Sequence, residues 1–432
     1  MSTSSPLPLT AVITPANSSE VVDAVRAAAA GGQAVYPLGG GSAIDYGAWP
    51  TLPGIGLSTR GLARILEHNA DDMTVTVEAG VTLAELAAVL GARGQRLPLD
   101  VPRPEQTTIG GLLATNRIGP RKAAYGAPRD FLLGLRAVDG LGREFRAGAQ
   151  VVKNAAGLNL PRLLAGSMGT LAVLTEVTLL LRPQPETTAV VLAHMPDWSM
   201  AEKLLEQVAS SPLLPAAVAV VAGPVLDVAP NSCQRMLPVA VFAFEGLRED
   251  VQWMVEHATE ICTAAGCEPK PYTDPVQAAG WWQWLCGMEA DVQATAPPGQ
   301  LVRVMQTMAT IDKDASLVGH ALAGVVDVRT SDALRLELAS QWGGNWRHAI
   351  RQAGAQPTLL RNPPESGLSA EDIFSHQPAV VALGRAIRER FDPHGILNPG
   401  RLPHAVRGAG ERAAPAQSAL QARSPAPVAC NR

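Results

Sequence analysis

The chain has 432 residues, of which 47% are hydrophobic and 17% charged, and its formal net charge at pH 7 is −4. This composition is typical of a folded globular protein and excludes a disordered chain. The length exceeds what one hydrophobic core serves, so we expect two or perhaps three domains. Nucleic acid is not expected as a partner, because no basic surplus exists to release its counterions.

The cysteines and the apolar segments exclude further classes of protein. The five cysteines form neither a C-x-x-C pair nor the four-cysteine spacing of an iron–sulfur protein; they are Cys233, Cys262, Cys267, Cys286 and Cys430. Free thiols in a large chain predict a reducing, cytoplasmic compartment. The first residues carry no signal-peptide pattern. The longest apolar runs, such as Ala216–Gly223, are too short to span a membrane, so no transmembrane segment is expected.

The first predicted elements lead into a glycine loop. Residues 17–20 (Asn-Ser-Ser-Glu) match a capping box and predict a helix over Val21–Ala30, followed by a strand over Ala34–Leu38. That strand runs directly into Gly39-Gly40-Gly41-Ser42. Glycine permits positive φ and close ligand approach, and successive N–H groups in such a turn form a nest for phosphate.

This loop is not one of the two familiar phosphate-binding loops. No Gly-Lys-Ser/Thr follows it, which excludes a P-loop. The dinucleotide fingerprint requires a helix opening on its third glycine, where this chain has Ile44, and the order here is helix, strand, loop. Taken alone, the loop is equally consistent with an ordinary glycine-rich turn.

Further elements of the N-terminal half follow from periodicity and capping. The predicted strands are Gly54–Ser58, Met73–Ala79, Arg96–Leu99, Leu132–Asp139, Arg143–Arg146 and Leu171–Leu181. The predicted helices are Leu62–Glu67, Leu83–Ala92, Leu112–Asn116 and Leu160–Leu164. Pro183 and Pro185 break any regular element and indicate a domain boundary.

Beyond this boundary strands and helices alternate. The predicted strands are Ala189–His194, Ala216–Ala222, Val239–Phe244, Leu301–Met308 and Gly324–Val328. The predicted helices are Met200–Ser210, Arg248–Ala265, Ala315–Leu322 and Gln377–Phe391. The alternation favours an α+β domain with helices on one face of an antiparallel sheet. From Ala405 to Arg432 the chain lacks periodicity, which predicts a disordered tail.

Glycine-bearing loops recur at element ends in the N-terminal half: Leu38–Gly47, Pro104–Gly111, Gly119–Gly126 and Gly166–Thr170. Together they offer backbone donors and small hydroxyls to an extended anionic ligand. No His/Cys or acidic cluster suggests a metal site, and G-x-S-x-G is absent. The loops therefore favour a cofactor that contains a diphosphate.

Several motifs resemble one family of flavoproteins. They are residues 37–42 (PLGGGS), 77–80 (VEAG), 108–111 (TIGG), 166–176 (GSMGTLAVLTE) and 391–401 (FDPHGILNPGR). In this combination they resemble the vanillyl-alcohol-oxidase/p-cresol-methylhydroxylase (PCMH) superfamily. Residues 119–121 (GPR), 125–126 (YG) and 151–157 (VVKNAAG) more narrowly resemble the FAD-binding subunits of bacterial glycolate oxidase.

The resemblance implies an α+β fold with a two-subdomain PCMH-type FAD-binding domain and an α+β cap domain built on an antiparallel sheet. It implies an FAD-binding domain at 1–183, a cap at 184–374, a segment at 375–404 that returns to the FAD-binding domain, and the tail at 405–432. The implied cofactor-binding residues are Leu38, Gly39, Gly40, Gly41, Ser42, Thr107, Thr108, Gly110, Gly111, Asn116 and Val173.

Departures from relatives refine this expectation. Some relatives bind FAD covalently through a His or Cys near the first loop, but residues 42–45 (SAID) offer neither, so noncovalent FAD is expected. A histidine- and glycine-rich motif found in related dehydrogenases is missing. The single histidines His257, His320, His348 and His376 are therefore expected to be structural or surface residues. No catalytic base is predicted; possible carboxylate-binding residues are Arg121, Lys122, Arg129 and Lys153.

Three functions remain open at this stage. The first is an FAD-binding subunit of a 2-hydroxy-acid dehydrogenase, oxidising glycolate to glyoxylate with a second flavoprotein subunit and an iron–sulfur subunit. The second is a stand-alone flavin-dependent dehydrogenase of the D-lactate type, and the third is a flavin-retaining assembly subunit without its own turnover. For the complex we expect a cytoplasmic location, with peripheral association to the inner membrane through its partners.

Overall fold

A computed structural model describes residues 6–148, 159–230, 238–334, 342 and 346–406. Lys153 and most of the predicted tail, from residue 407 onward, lie outside the described residues. The N-terminal elements are β1 (Leu9–Ile13), α1 (Ser18–Gly31), β2 (Ala34–Leu38) and β3 (Gly54–Ser58). The three strands form a parallel sheet in the order β1-β3-β2.

A five-stranded antiparallel sheet, ordered β4-β5-β9-β7-β8, follows in this half. The elements are β4 (Ile65–Asn69), β5 (Thr74–Glu78), α2 (Leu83–Gly91), β6 (Gln95–Arg96), α3 (Ile109–Thr115), α4 (Lys122–Tyr125), α5 (Pro128–Phe131), β7 (Leu132–Asp139), β8 (Glu144–Gly148), α6 (Leu160–Leu164), β9 (Ala172–Leu180) and β10 (Arg182–Pro183). The inner face of the sheet packs on α2 and α3. Both helices begin at a threonine cap: Thr82 in a full capping box, and Thr108 through its hydroxyl.

An eight-stranded antiparallel sheet occupies the following part of the chain, in the order β14-β11-β13-β12-β16-β17-β15-β18. Its elements are β11 (Thr187–His194), α7 (Trp198–Ala209), β12 (Ala217–Ala222), β13 (Val239–Gly246), α8 (Arg248–Ala264), β14 (Glu268–Tyr272), α9 (Pro275–Cys286), β15 (Val292–Thr295), α10 (Leu301–Ile311), β16 (Ser316–His320), β17 (Val325–Arg329), α11 (Arg347–Gln352) and β18 (Gln356–Leu359). We call this part the cap, residues 187–359.

Alternate residues of the cap strands enter two different cores. Phe242 and Phe244 face the core formed with α7, α8 and α10, whereas Val239 and Val241 face the side that carries α9. The expectation of helices on one face of the sheet is therefore wrong for α9. That helix buries Trp281, and its Trp282 donates an indole N–H to Asp100 of the N-terminal half at 3.3 Å.

The last described elements are α12 (Ala370–Ile373) and α13 (Pro378–Phe391). Beyond them the chain lies beside β2: Val35 donates its N–H to the Ile396 carbonyl at 2.8 Å, and Asn398 donates to the Val35 carbonyl at 2.8 Å. The buried Arg388 pairs with Asp392 at 3.1 Å and anchors this turn. Residues far apart in the sequence thus support the strand that leads into the glycine loop.

Three predicted elements are wrong in type. The predicted helix Leu62–Glu67 is replaced by β4, which begins at Ile65. The predicted strand Leu301–Met308 is the helix α10, whose buried residues 301, 302, 304, 305 and 308 follow a helical period. The predicted helix Ala315–Leu322 is β16, buried along its whole length because it lies in the interior of the sheet.

Candidate functional site

The glycine loop lies at one end of a cleft between the N-terminal half and the cap. The cleft holds about 1820 Å³ of empty space, part of it open to solvent. Its walls come from the loops at 37–45, 100–120 and 167–174 on one side, and on the other from cap residues 285–290 and 318–327 and from residues 360–361, just past the cap. Ten of the eleven predicted cofactor residues line it. Asn116 does not: it takes a left-handed conformation at the end of α3 and accepts a hydrogen bond from the Arg129 N–H at 3.0 Å.

The three glycines of the loop serve different purposes. A Cβ on Gly39 would overlap the Thr108 hydroxyl, and a Cβ on Gly40 would overlap the Gln106 carbonyl oxygen. These two glycines therefore let the loop at 38–42 pack directly on the loop at 103–111. Gly41 differs, because its φ is +80° and no atom lies within 4 Å of where a Cβ would stand. Gly41 thus faces the open cleft.

The N–H groups of this loop are available to a ligand. Among the described residues, no protein acceptor takes the backbone N–H of Gly40, Gly41 or Ser42. Buried or cleft-facing N–H groups normally have partners. A nest of unpaired donors beside an open glycine suits the pyrophosphate of a dinucleotide cofactor, so the residues present fit FAD.

The second loop supports the first. Thr107 donates its hydroxyl to the Ser42 hydroxyl at 3.0 Å. The N–H groups of Gly110 and Gly111 already have acceptors, the Ala79 carbonyl at 2.8 Å and the Thr108 hydroxyl at 3.2 Å. These glycines therefore hold the loop in place instead of offering donors to the cleft. Val173, near the start of β9, lines the cleft with its neighbours Ala172 and Leu174.

Two ion pairs share Glu289 at the cleft, and one of them crosses between the two walls. Arg103 donates to the Ser42 carbonyl at 2.8 Å and pairs with Glu289 of the cap at 2.9 Å. Arg361 pairs with the same Glu289 at 3.4 Å. Because these groups are about one-third to two-fifths exposed, each pair contributes modestly to stability. Their geometry ties the cap to the glycine loop.

Behind the cleft, a buried ionic cluster joins the two walls. Glu245 on β13 has a fully buried side chain and pairs with Arg121 at 2.8 Å and with Arg96 at 2.5 Å. Arg121 also pairs with Asp100 and stacks on Trp282, whose ring centre lies 3.8 Å from the guanidinium carbon. Arg121, considered above as a carboxylate-binding residue, is thus engaged within the protein.

A histidine on the cap wall has the features of a proton acceptor. β16 and β17 are antiparallel neighbours joined by a short connection, which places His320 beside Asp327. His320 Nε2 lies 3.3 Å from Asp327 Oδ2, and Gln293 donates to the other carboxylate oxygen at 2.8 Å. Burial works to raise the pKa of Asp327, but the hydrogen bond and charge of His320 outweigh it, and the pKa is lowered.

This arrangement leaves the second nitrogen of His320 free for chemistry. With Nε2–H directed at the carboxylate, Nδ1 carries the lone pair. Nδ1 is buried and has no hydrogen-bond partner, and His320 lines the cleft. The sequence alone indicates a structural or surface role for His320, whereas its unpartnered Nδ1 makes it a candidate base. The sequence does carry a signal for this pair. His320 ends one buried strand and pairs with Val325 at the start of the next strand. Asp327 lies two residues after Val325, and side chains two residues apart share one face of a sheet.

Within the part of the chain that the structure describes, no group of three or more His, Cys, Asp or Glu side chains could hold a metal ion. Nor is any described helix both long and apolar enough to cross a bilayer. Cys286 is the one cysteine that lines the cleft among the described residues, and burial raises its pKa well above the ordinary 9.0. A neutral thiol of this kind is a poor nucleophile.

Comparisons with known proteins support the interpretation of this cleft as an FAD site. Residues 9–148 match the FAD binding domain, and residues 374–402 match the C-terminal domain of FAD linked oxidases. Among solved structures, p-cresol methylhydroxylase with substrate bound is similar over 91% of this chain and 88% of its own, with a TM-score of 0.68 and 15% identity. That likeness shows the PCMH-type fold.

Curated relatives match most of the chain. The glycolate oxidase subunit GlcD of Bacillus subtilis is 26% identical, covering 91% of this chain and 88% of the relative. The glycolate oxidase subunit GlcE of Escherichia coli is 29% identical, covering 78% and 84%. A D-2-hydroxyglutarate dehydrogenase of Xanthomonas citri is 27% identical, covering 92% and 89%. The two matched domains are those of FAD-linked oxidases, and they indicate FAD as the cofactor.

Proposed function

We propose that this protein oxidises the alcohol of a small 2-hydroxy acid, glycolate first among them, with noncovalent FAD. The observation that carries the proposal is the buried, unpartnered Nδ1 of His320 in the cofactor cleft, with Asp327 holding the opposite nitrogen. The names of the relatives, which include glycolate oxidase subunits and a hydroxyglutarate dehydrogenase, support this class of substrate.

One wall of the cleft would bind the cofactor, and the other would accept the substrate's proton. The N–H groups of Gly40, Gly41 and Ser42 would hold the cofactor's pyrophosphate, with Thr107 positioning Ser42. FAD bound there would accept the hydrogen of the alcohol carbon together with its two electrons, as a hydride. His320 Nδ1 would accept the hydroxyl proton, and Asp327 would stabilise the resulting imidazolium through Nε2–H. The side chains of His320 and Asp327 are 5% and 14% exposed, so the protein shields most of this pair from water.

We further propose that the protein works as one subunit of a complex. The chain's cysteines lack an iron–sulfur spacing, so electrons from the flavin must pass to another acceptor. A second flavoprotein subunit and an iron–sulfur subunit would supply this route. Such a complex would sit in the cytoplasm or associate peripherally with the inner membrane. Adjacent genes for these two partners would support the assembly.

The test is reduction of the bound flavin. The purified protein should be yellow, and acid or heat should release FAD into the supernatant. Mixed anaerobically with glycolate, the oxidised-flavin absorbance should disappear, and adding candidate partner subunits should restore turnover with an artificial acceptor. Flavin that stays with the precipitated protein would contradict noncovalent binding. Flavin that no 2-hydroxy acid reduces, with or without partners, would contradict the function and leave an assembly subunit.

A further inference from the structure

Among the described residues, four arginines line the cleft, and three of them are engaged. Arg103 and Arg361 pair with Glu289. Arg401 donates to the carbonyls of Ile44 at 2.7 Å and Tyr46 at 2.5 Å. The fourth is Arg117, just past α3, and no hydrogen bond or ion pair engages its guanidinium within the described part of the chain.

Arg117 lies close enough to the cap wall for its charge to act on a residue there. It lines the same cleft as His320 and Asp327, although it belongs to the N-terminal half. Burial works to raise the pKa of Asp327, whereas His320, Gln293 and, to a smaller extent, the charge of Arg117 lower it. The charge of Arg117 also opposes the rise that burial causes in the pKa of Tyr46. Its field therefore reaches the aspartate that holds the candidate base.

An unpaired guanidinium in a partly desolvated cleft is costly unless an anion completes it. The pyrophosphate is one anion, but the glycine loop that would hold it supplies its own donors, the unpaired N–H groups of Gly40, Gly41 and Ser42. A substrate carboxylate is the other, since planar carboxylates pair bidentately with arginine.

We propose that Arg117 binds the single carboxylate of a 2-hydroxy monocarboxylate and so orients its alcohol toward His320. This inference rests on the proposed function and names the substrate class for that site. Arg103 pairs with Glu289, Arg361 pairs with Glu289 and Asp291, and Arg401 donates to backbone carbonyls, so a second substrate carboxylate would meet no unengaged arginine among the described cleft residues. Dicarboxylates are therefore disfavoured, and Arg117 acts as a specificity-determining residue.

The experiment is equilibrium binding to the FAD-loaded protein, followed through perturbation of the flavin spectrum. The probe is 2-hydroxyisobutyrate, which has no hydrogen on its alcohol carbon and so cannot be oxidised. Its amide provides an uncharged probe, and citramalate a dicarboxylate one. Arg117→Met should weaken 2-hydroxyisobutyrate binding about 10- to 100-fold, the usual effect of losing a hydrogen bond to a charged group. Arg117→Lys should lie between the two.

Matched controls isolate the effect. Arg93→Met, an exposed arginine that does not line the cleft, should bind all probes like the unaltered protein. FAD content should be the same in every variant, the amide should bind weakly to all of them, and citramalate should bind more weakly than 2-hydroxyisobutyrate.

Three outcomes would overturn the inference: unchanged 2-hydroxyisobutyrate binding in Arg117→Met, loss of FAD in place of carboxylate binding, or tighter binding of citramalate. Failure of the proposed function is a separate result. Holoprotein that binds 2-hydroxyisobutyrate through Arg117 but is reduced by no 2-hydroxy acid would refute the oxidation and leave the carboxylate site standing. Reduction by glycolate with an unaltered KM in Arg117→Met would refute the carboxylate site alone.

Discussion

Glu245, on a central strand of the cap, accepts a hydrogen bond from Arg121 Nε at 2.8 Å, across the boundary between the cap and the N-terminal half. Arg121 follows directly on Gly119 and Pro120, which line the cleft. The pair therefore fixes the cap beside the cofactor loops without taking part in the chemistry. Removing one partner of a buried ion pair leaves the other charged and desolvated, which is the costly case.

Arg121→Met should destabilise the protein by about 3–5 kcal/mol, because Asp100 and Glu245 lose a shared partner. The measurement is urea unfolding of the holoprotein. Arg93→Met, on the surface, should change the free energy of unfolding by less than about 0.5 kcal/mol. Equal stability of the two variants would show that the buried cluster contributes nothing net.

Glu245 should also shape the acid unfolding of the protein. Burial works to raise its pKa, but Arg121 and Arg96 outweigh burial and hold the pKa below the ordinary 4.5. A carboxylate with a depressed pKa in the folded state stabilises the protein above its unfolded-state pKa, and that stability is lost as pH falls through the folded value. In Glu245→Gln, the unfolding free energy should therefore fall less steeply below about pH 4.5 than in the unaltered protein. Parallel pH profiles would contradict this role.

Gly41→Ala should weaken FAD binding, because its methyl group would enter the open cleft and its positive φ would be strained. The strain alone costs about 1–2 kcal/mol of stability. Gly94 is a matched control, with φ of +64° and equally open surroundings away from the cleft. Gly94→Ala should lose similar stability but retain FAD. The prediction is checked by flavin content and by titration of the apoprotein with FAD. Equal FAD affinity in the two variants would show that the cofactor does not bind against Gly41.

Gly40→Ala should act through packing, since its Cβ would overlap the Gln106 carbonyl and separate the two loops. Overpacking of this kind costs about 1–3 kcal/mol. We expect a lower melting temperature even in the apoprotein, where no phosphate is present to be displaced. A variant that loses FAD affinity while its apoprotein melts normally would show that the glycine serves the ligand directly.

Local sequence patterns predicted the glycine loop and the strand before it well. The strand Ala34–Leu38 has the predicted bounds, and the glycine loop that follows it lines the cleft. The local pattern could not show that the glycines differ in role. Gly40 is required because Gln106, 66 residues away, packs against it, and among the three glycines only Gly41 has open space where a Cβ would stand. Such contacts depend on the tertiary arrangement.

The cap was predicted less well, for two physical reasons. The buried run at 316–320 lacks alternation because a central strand is apolar on both faces, and a short apolar run of this kind resembles a buried helix. His320 looked isolated, because its partner Asp327 arrives through strand pairing and the cleft that it lines is made by two parts of the chain. The catalytic candidate was therefore visible only in three dimensions.

The most direct test of the central claim is anaerobic reduction of the bound flavin by glycolate in His320→Asn. We expect this variant to keep its full FAD content. We expect its flavin to be reduced about a hundredfold to ten-thousandfold more slowly than in the unaltered protein, the usual contribution of a general base. His348→Asn, an exposed histidine on α11, should reduce at the unaltered rate. A His320→Asn protein that retains FAD and is reduced as fast as the unaltered protein would contradict the account.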